Sequence, residues 1–228
     1  MHKISLSAEF RAALRERRNG TEHVFDSIEP RQTALLVIDM QNAFLAPGAP
    51  LEVPYARGIV ENINRLAGEM RALDAPVFWI RCTFAREGRA SWRVYFDNLA
   101  PGGDGEAIRS TMYEGSEGHA FWGELDIREG DTIVDKDRFS AFIQGASDLE
   151  SKLRERGIDT VVITGTVTNV CCESTARDAT MRDFRCIMIE DANAARTDEE
   201  HLAGLMTVAR VFGDVMSTKD FLAKLAQP

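Results

Sequence analysis

Short apolar runs separated by amphipathic stretches set the rhythm of this chain. TALLVID at 33–39, PVFWIRCT at 76–83, DTIVD at 131–135, DTVVIT at 159–164 and RCIMIE at 185–190 have the length and branched or aromatic content of strands, with GDVM at 213–216 as a sixth. Between them, apolar positions recur at helical spacing from Ala56 to Leu73, Asp148 to Arg156, Val170 to Asp183 and Asp198 to Val211. Further helices are predicted near Ser7 to Arg18 and Thr218 to Ala226, docked outside the sheet or against another subunit. Strand and helix in alternation predict an α/β fold: a three-layer, Rossmann-like parallel sheet of about six strands with helices on both faces. No linker or repeat divides the 228 residues, so a single domain is expected over 1–228, with an N-terminal helical extension at 1–30. The stretch from Ala85 to Glu129 is too long for a plain connection, and it scatters Trp92, Tyr95, Phe96, Tyr113, Phe121 and Trp122 between glycines. It reads as a lid over a site or as an oligomer contact.

Composition narrows the function mainly by exclusion. A hydrophobic content of 44% supports a full core, and a net charge of -9 argues against nucleic acid or an anionic membrane as partner. A small-molecule substrate is the better expectation. No apolar run approaches the ~18 residues of a membrane span, and MHKISLSAEFRAALRERR lacks a signal-peptide core. A cytoplasmic location is therefore expected. Cysteines at 82, 171, 172 and 186 fit neither a disulfide framework nor paired zinc ligands, which leaves reduced thiols.

In open α/β sheets ligands bind beyond the carboxyl ends of the strands, so the chemistry there matters most. The first strand ends at Asp39, the third leads into Lys136, and the fourth leads into the turn that carries Cys171 at a helix N-terminus. Each has a bland alternative: a turn-forming aspartate, a solvated lysine, a small buried thiol. Together, a carboxylate, an ammonium and a thiol at one sheet edge suit covalent acyl transfer. Unpaired amides and the helix dipole at that terminus are expected to favour thiolate and to offer an oxyanion site. Helical phase separates the vicinal cysteines. Cys172 shares its face with Ala176 and Ala179, a packing face, whereas Cys171 lines up with Thr175 and Asp178 and is predicted to meet the cleft.

With LLVIDMQNAF, VDKDRFSAF and TGTVTNVCCESTARDA in this order, the chain resembles the isochorismatase-like cysteine hydrolases from about Thr33 to Ser217. That family includes nicotinamidases, carbamoylsarcosine amidases and ureidoacrylate amidohydrolases. The resemblance implies a catalytic triad of Asp39, Lys136 and Cys171. It also implies a cis peptide at Thr166-Val167, with the amides of Val167 and Cys171 as oxyanion hole. The implied reaction is cysteine-dependent cleavage of the C–N bond of a small ureido, carbamoyl or carboxamide compound through a thioester. Nicotinamidases carry an Asp-x-His pair and a further His that bind a metal. No such pattern occurs here, so no metal and no cofactor are expected. TNVCCEST is closer to the ureidoacrylate amidohydrolase pattern than to that of nicotinamidases. Gln41, Phe44, Arg81 and Asn169 are candidate substrate-binding residues, although Arg81 also suits a surface ion pair. The alternatives are an isochorismatase-type vinyl ether hydrolase and a catalytically silent binding protein. A homodimer or homotetramer is the expected assembly.

Overall fold

The apolar runs become one sheet whose two faces each acquire their own core. A computed structural model describes residues 1–85, 92–100 and 102–225. Its six strands are β1 (Thr33–Ile38), β2 (Val77–Cys82), β3 (Thr132–Lys136), β4 (Thr160–Thr166), β5 (Arg185–Ala194) and β6 (Asp214–Met216). All are parallel, in the order β3-β2-β1-β4-β5-β6. Side chains alternate across a strand, so Leu35 and Val37 of β1 join one core while Ala34, Leu36 and Ile38 join the other. The first core is capped by α3 (Val60–Ala72) and α8 (Thr218–Leu225) through Ile63, Leu66, Phe221 and Leu225. The second is capped by α1 (Ala8–Arg17), α5 (Leu149–Glu155), α6 (Glu173–Thr180) and α7 (Asp198–Thr207). A short α2 (Asn42–Leu45) follows β1, and α4 (Gly102–Thr111) lies between β2 and β3.

Both terminal helices pack on the chain's own sheet. In α1, Ser7 caps the amide of Phe10, and Phe10 and Leu14 enter the second core. Upstream of it, His2 stacks between Tyr55 and His201, at 4.0 and 4.1 Å. Its Nε2 accepts from the amide of Ala195, so its Nδ1 is the atom that donates to Asp198. The predicted last helix ends at Leu225, and Ala226 lies outside the described residues, as do 86–91 and 101 within the long predicted insertion. No described helix is long and apolar enough to cross a membrane.

Chain order places the site. The strands run outward from β1 to β3, then the chain returns to lay β4 on the other side of β1. The loops after β1 and β4 therefore diverge and leave a crevice at their carboxyl ends. β4 and β5 extend at least two residues further than the hydrophobic pattern predicts. Ile163 pairs with Met188 but Gly165 pairs with Asn193, a bulge in β5. Asn193 Nδ2 donates to the carbonyls of Ile163 and Ile189, satisfying the oxygens that the bulge displaces. Asp-Ala-Asn reads as loop in sequence because a polar side chain, not the ladder, holds this part of the strand.

Candidate active site

Asp39 leaves β1 in the left-handed backbone region, at φ 51°, a conformation that aspartate tolerates better than most residues. Its amide donates to Ile80 O at 2.9 Å, and its carbonyl accepts from Thr166 Oγ1 at 2.9 Å, so β2 and β4 clamp it. Gly165 makes that approach possible. It has φ 111°, and a Cβ there would stand 2.1 Å from Ile38 O.

Lys136, the last residue of β3, is as buried as Asp39; neither side chain is exposed. Its Nζ donates to Asp39 Oδ2 at 2.8 Å and to Arg138 O at 3.1 Å. Burial holds the Asp39 carboxyl above its ordinary value, although Lys136 pulls it down. For Lys136, burial works against the charge, but Asp39 together with the neighbouring Cys171 and Cys82 outweighs it, so the ammonium is held above its ordinary value. Asp39 Oδ1 is buried without a hydrogen-bond partner of ordinary geometry, and the Cys171 thiol adjoins this carboxylate.

Cys171 sits in a wide π-type turn, Thr168–Cys172, that precedes the regular helix beginning at Glu173. Such turns recur at functional sites because they re-aim one side chain without breaking the helix. The peptide Thr166–Val167 is cis, as the resemblance implies. The carbonyl of Val167 accepts from the amides of Val170 and Cys172, which ties the turn to the end of β4. The predicted division of the cysteines corresponds to two environments. Cys172 is wholly buried with Ala176 and Ala179, while Cys171 lines a cavity. Burial pushes the Cys171 thiol above its ordinary value, with Lys136 opposing the rise and the Asp39 carboxylate adding to it.

The cavity holds about 260 Å³. Of the candidate substrate-binding residues, Phe44 and Asn169 line it. Gln41 does not. It is wholly buried, its Nε2 donates to the carbonyls of Cys82 and His119, and its Oε1 accepts from the amide of Cys82. With both donors and the acceptor committed to backbone, it braces the loop after β2 and has nothing left for a ligand. Arg81 is likewise engaged elsewhere, in a paired contact with Asp135 at 2.7 and 3.1 Å.

Tyr95, Ile108 and Met112 of the segment read as a lid or subunit contact line the cavity, although sequence reasoning singled out neither Ile108 nor Met112; it also missed Arg196 and Glu200 beyond β5. A strand-end census carried past residue 190 would have found Arg196, which follows the true end of β5 by two residues. No group of three or more His, Cys, Asp or Glu is placed to hold a metal ion among the described residues. His119 is buried against Thr83 Oγ1 at 2.8 Å.

The structure is a three-layer parallel α/β domain with a carboxylate, an ammonium and a thiol gathered at its topological switch point. More specifically, the chain belongs to the isochorismatase family, whose isochorismatase domain model matches residues 33–220. The ureidoacrylate amidohydrolase RutB of Methylobacterium radiotolerans is 31% identical over 215 residues, covering 89% of this chain and 83% of that protein. Among solved structures, a cysteine hydrolase from Pseudomonas syringae pv. phaseolicola superposes with a TM-score of 0.77 at 31% identity, covering 87% of this chain and 94% of that one. The N-carbamoylsarcosine amidase of Thermoplasma acidophilum superposes with a TM-score of 0.67 at 27% identity, covering 82% and 96%.

Proposed function

We propose that this protein is a cysteine-dependent amidohydrolase that cleaves the C–N bond of a small ureido, carbamoyl or carboxamide compound. The observation that carries this reading is the meeting of Asp39, Lys136 and Cys171: the thiol lines the cavity and lies beside the buried carboxylate, and the ammonium is 2.8 Å from that carboxylate. Asp39 takes the thiol proton as sulfur attacks the carbonyl carbon, and a carboxyl held above its ordinary value can keep that proton long enough to return it. The amides of Val167 and Cys171 receive the oxyanion. Collapse breaks the C–N bond, Asp39 protonates the departing nitrogen, and a thioester remains on Cys171. Water then attacks the thioester and regenerates the thiol. The sum is amide plus water giving acid plus ammonia or amine. Lys136 keeps the net charge of the buried site near zero through the proton transfers.

The relatives named for ureidoacrylate and N-carbamoylsarcosine support the substrate class. The test is ammonia release from a panel of primary amides, carbamoyl amino acids, ureidoacrylate and biuret, with Cys171→Ser as control. Turnover of at least one compound that vanishes in the variant is the expected result. Turnover that survives in Cys171→Ser would overturn the thioester route.

A further inference from the structure

His2 lies outside the matched domain, residues 33–220, yet its side chain is buried between two pieces of the active site. Its ring nitrogens bind residues on either side of Arg196. Nε2 accepts from the amide of Ala195 at 3.0 Å, and Nδ1 donates to the carboxylate of Asp198 at 2.6 Å. Arg196 stands between these two anchors and lines the same cavity as Cys171. The ring also stacks on His201, at 4.1 Å and nearly parallel, with Tyr55 at 4.0 Å. His201 in turn shares a hydrogen bond of 2.8 Å with Thr168 Oγ1, in the turn that carries Cys171, and both residues are wholly buried. Two glycines keep these contacts close. A Cβ at Gly204 of α7 would stand 3.1 Å from Asn169 Cα, so the helix rests on the backbone of the nucleophile turn. A Cβ at Gly58 would stand 2.0 Å from Met1 N, so the chain beside His2 is seated where only glycine leaves room.

Building on the amidohydrolase reading, we infer that His2 is a positioning residue for the reaction: its ring nitrogens fix the bend from Ala195 to Asp198 that presents Arg196 to the cavity, and its ring face holds His201 against Thr168 of the nucleophile turn. His2 does not line the cavity itself. It acts along two short paths, one to the cavity wall and one to the turn. A neutral imidazole suits the place because a single flat ring offers one acceptor and one donor. Without it the amide of Ala195, a wholly buried residue, loses its partner. An unpaired buried donor costs more than the bond it replaces, so the bend relaxes instead of keeping its shape.

The experiment removes the ring and then returns it. His2→Gly opens a slot of imidazole shape between Tyr55 and His201, and free imidazole is the probe. Activity is read as ammonia release from the panel compound that the wild type hydrolyses fastest, and amide hydrogen exchange is followed over 166–173 and 194–200. His2→Gly should lose about tenfold or more in kcat/KM, exchange faster in both segments, and recover on both counts when imidazole is added. 1-Methylimidazole, which has no N–H to donate, should restore neither. His2→Phe keeps a ring in the stack but loses both hydrogen bonds, so KM should rise about tenfold while kcat stays within about threefold. Wild-type kinetics in both variants, or losses that imidazole does not reverse, would overturn the inference. Equal rescue by 1-methylimidazole would refute the part assigned to the ring nitrogens. Should exchange in the two segments respond to imidazole as expected while the wild type releases ammonia from no compound, the hydrolase reading fails and the positioning role stands. Ammonia release that His2→Gly matches, with exchange unchanged, does the reverse: it sinks the positioning role and leaves the hydrolase reading intact.

Discussion

Replacing Lys136 by methionine removes one charge from the centre of the molecule while keeping most of the side chain's length and bulk. In the native site the ammonium donates to Asp39 Oδ2 at 2.8 Å, and neither side chain is exposed. Without it the buried carboxylate loses its one charged partner, and Oδ1 has no partner of ordinary geometry to compensate beyond the adjoining Cys171 thiol. Breaking a buried ion pair by removing one member costs about 3–5 kcal/mol. For a domain of this size a kcal/mol corresponds to roughly 2–4 °C in Tm, so Lys136→Met should melt roughly 10 °C lower.

The pH dependence identifies the cause. Burial already raises the Asp39 carboxyl, and Lys136 holds it down. In Lys136→Met that restraint is gone. A carboxyl raised above its unfolded-state pKa destabilises the fold while ionised, and the loss is recovered as pH falls through the folded-state pKa. The deficit against wild type should therefore shrink between pH 7 and pH 5, and Asp39→Asn/Lys136→Met should be at least 2 kcal/mol more stable than Lys136→Met at pH 7. The assay is chemical denaturation of the three proteins at both pH values. A single variant within 1 kcal/mol of wild type, or a double variant no more stable than the single, would refute the buried-pair account.

The remaining predictions use other parts of the structure. Cys171→Ser should abolish turnover with little change in Tm, whereas Cys172→Ala, which trims a buried thiol packed with Ala176 and Ala179, should remain active at a cost of about 1 kcal/mol. Because the Cys171 thiol is held above its ordinary value, iodoacetamide alkylation of Cys171 in the free enzyme should still be accelerating with pH above pH 9; a plateau near neutral pH would contradict this. His201 is buried against His2, and burial drops its pKa to about 4 from 6.5. The unfolded chain then binds the extra proton first, so stability falls as pH drops from 6.5 to 4, by about 3 kcal/mol in full. His201→Asn should lose that slope in denaturant titrations. Gly165→Ala would set a Cβ 2.1 Å from Ile38 O at a φ of 111°. It should cost more than about 2 kcal/mol and lower kcat/KM by displacing Asp39; an unchanged Tm would show that the strand ends yield more easily than the geometry implies.

How much of this was legible beforehand follows from where each residue sits. Strands buried on both faces announce themselves as continuous apolar runs, and the parallel order fixes which strand ends converge; Asp39, Lys136 and Cys171 were visible because their chemistry stood at those ends. The cavity wall was not. Tyr95, Ile108 and Met112 come from a segment with little periodicity, so nothing in the sequence indicates which of its side chains turn inward. Arg196 was missed because Asn193 carries β5 past the point where the hydrophobic pattern stops.

The two misplaced candidates failed for a different reason, one that strand geometry could have supplied. Register pairs Cys82 with Lys136 and Arg81 with Asp135. Laterally paired residues of a parallel sheet share a face, and successive residues alternate. If Lys136 turns toward the site, Arg81 must turn away, and it does, onto the ring of Phe121 and the carboxylate of Asp135. Gln41 lies two residues beyond Asp39 and looked like a neighbour of the chemistry. Its amide is instead absorbed by the carbonyls of Cys82 and His119. Proximity to a motif in sequence therefore indicates the right edge of the sheet, while parity along the strand decides which side chains at that edge can reach the substrate.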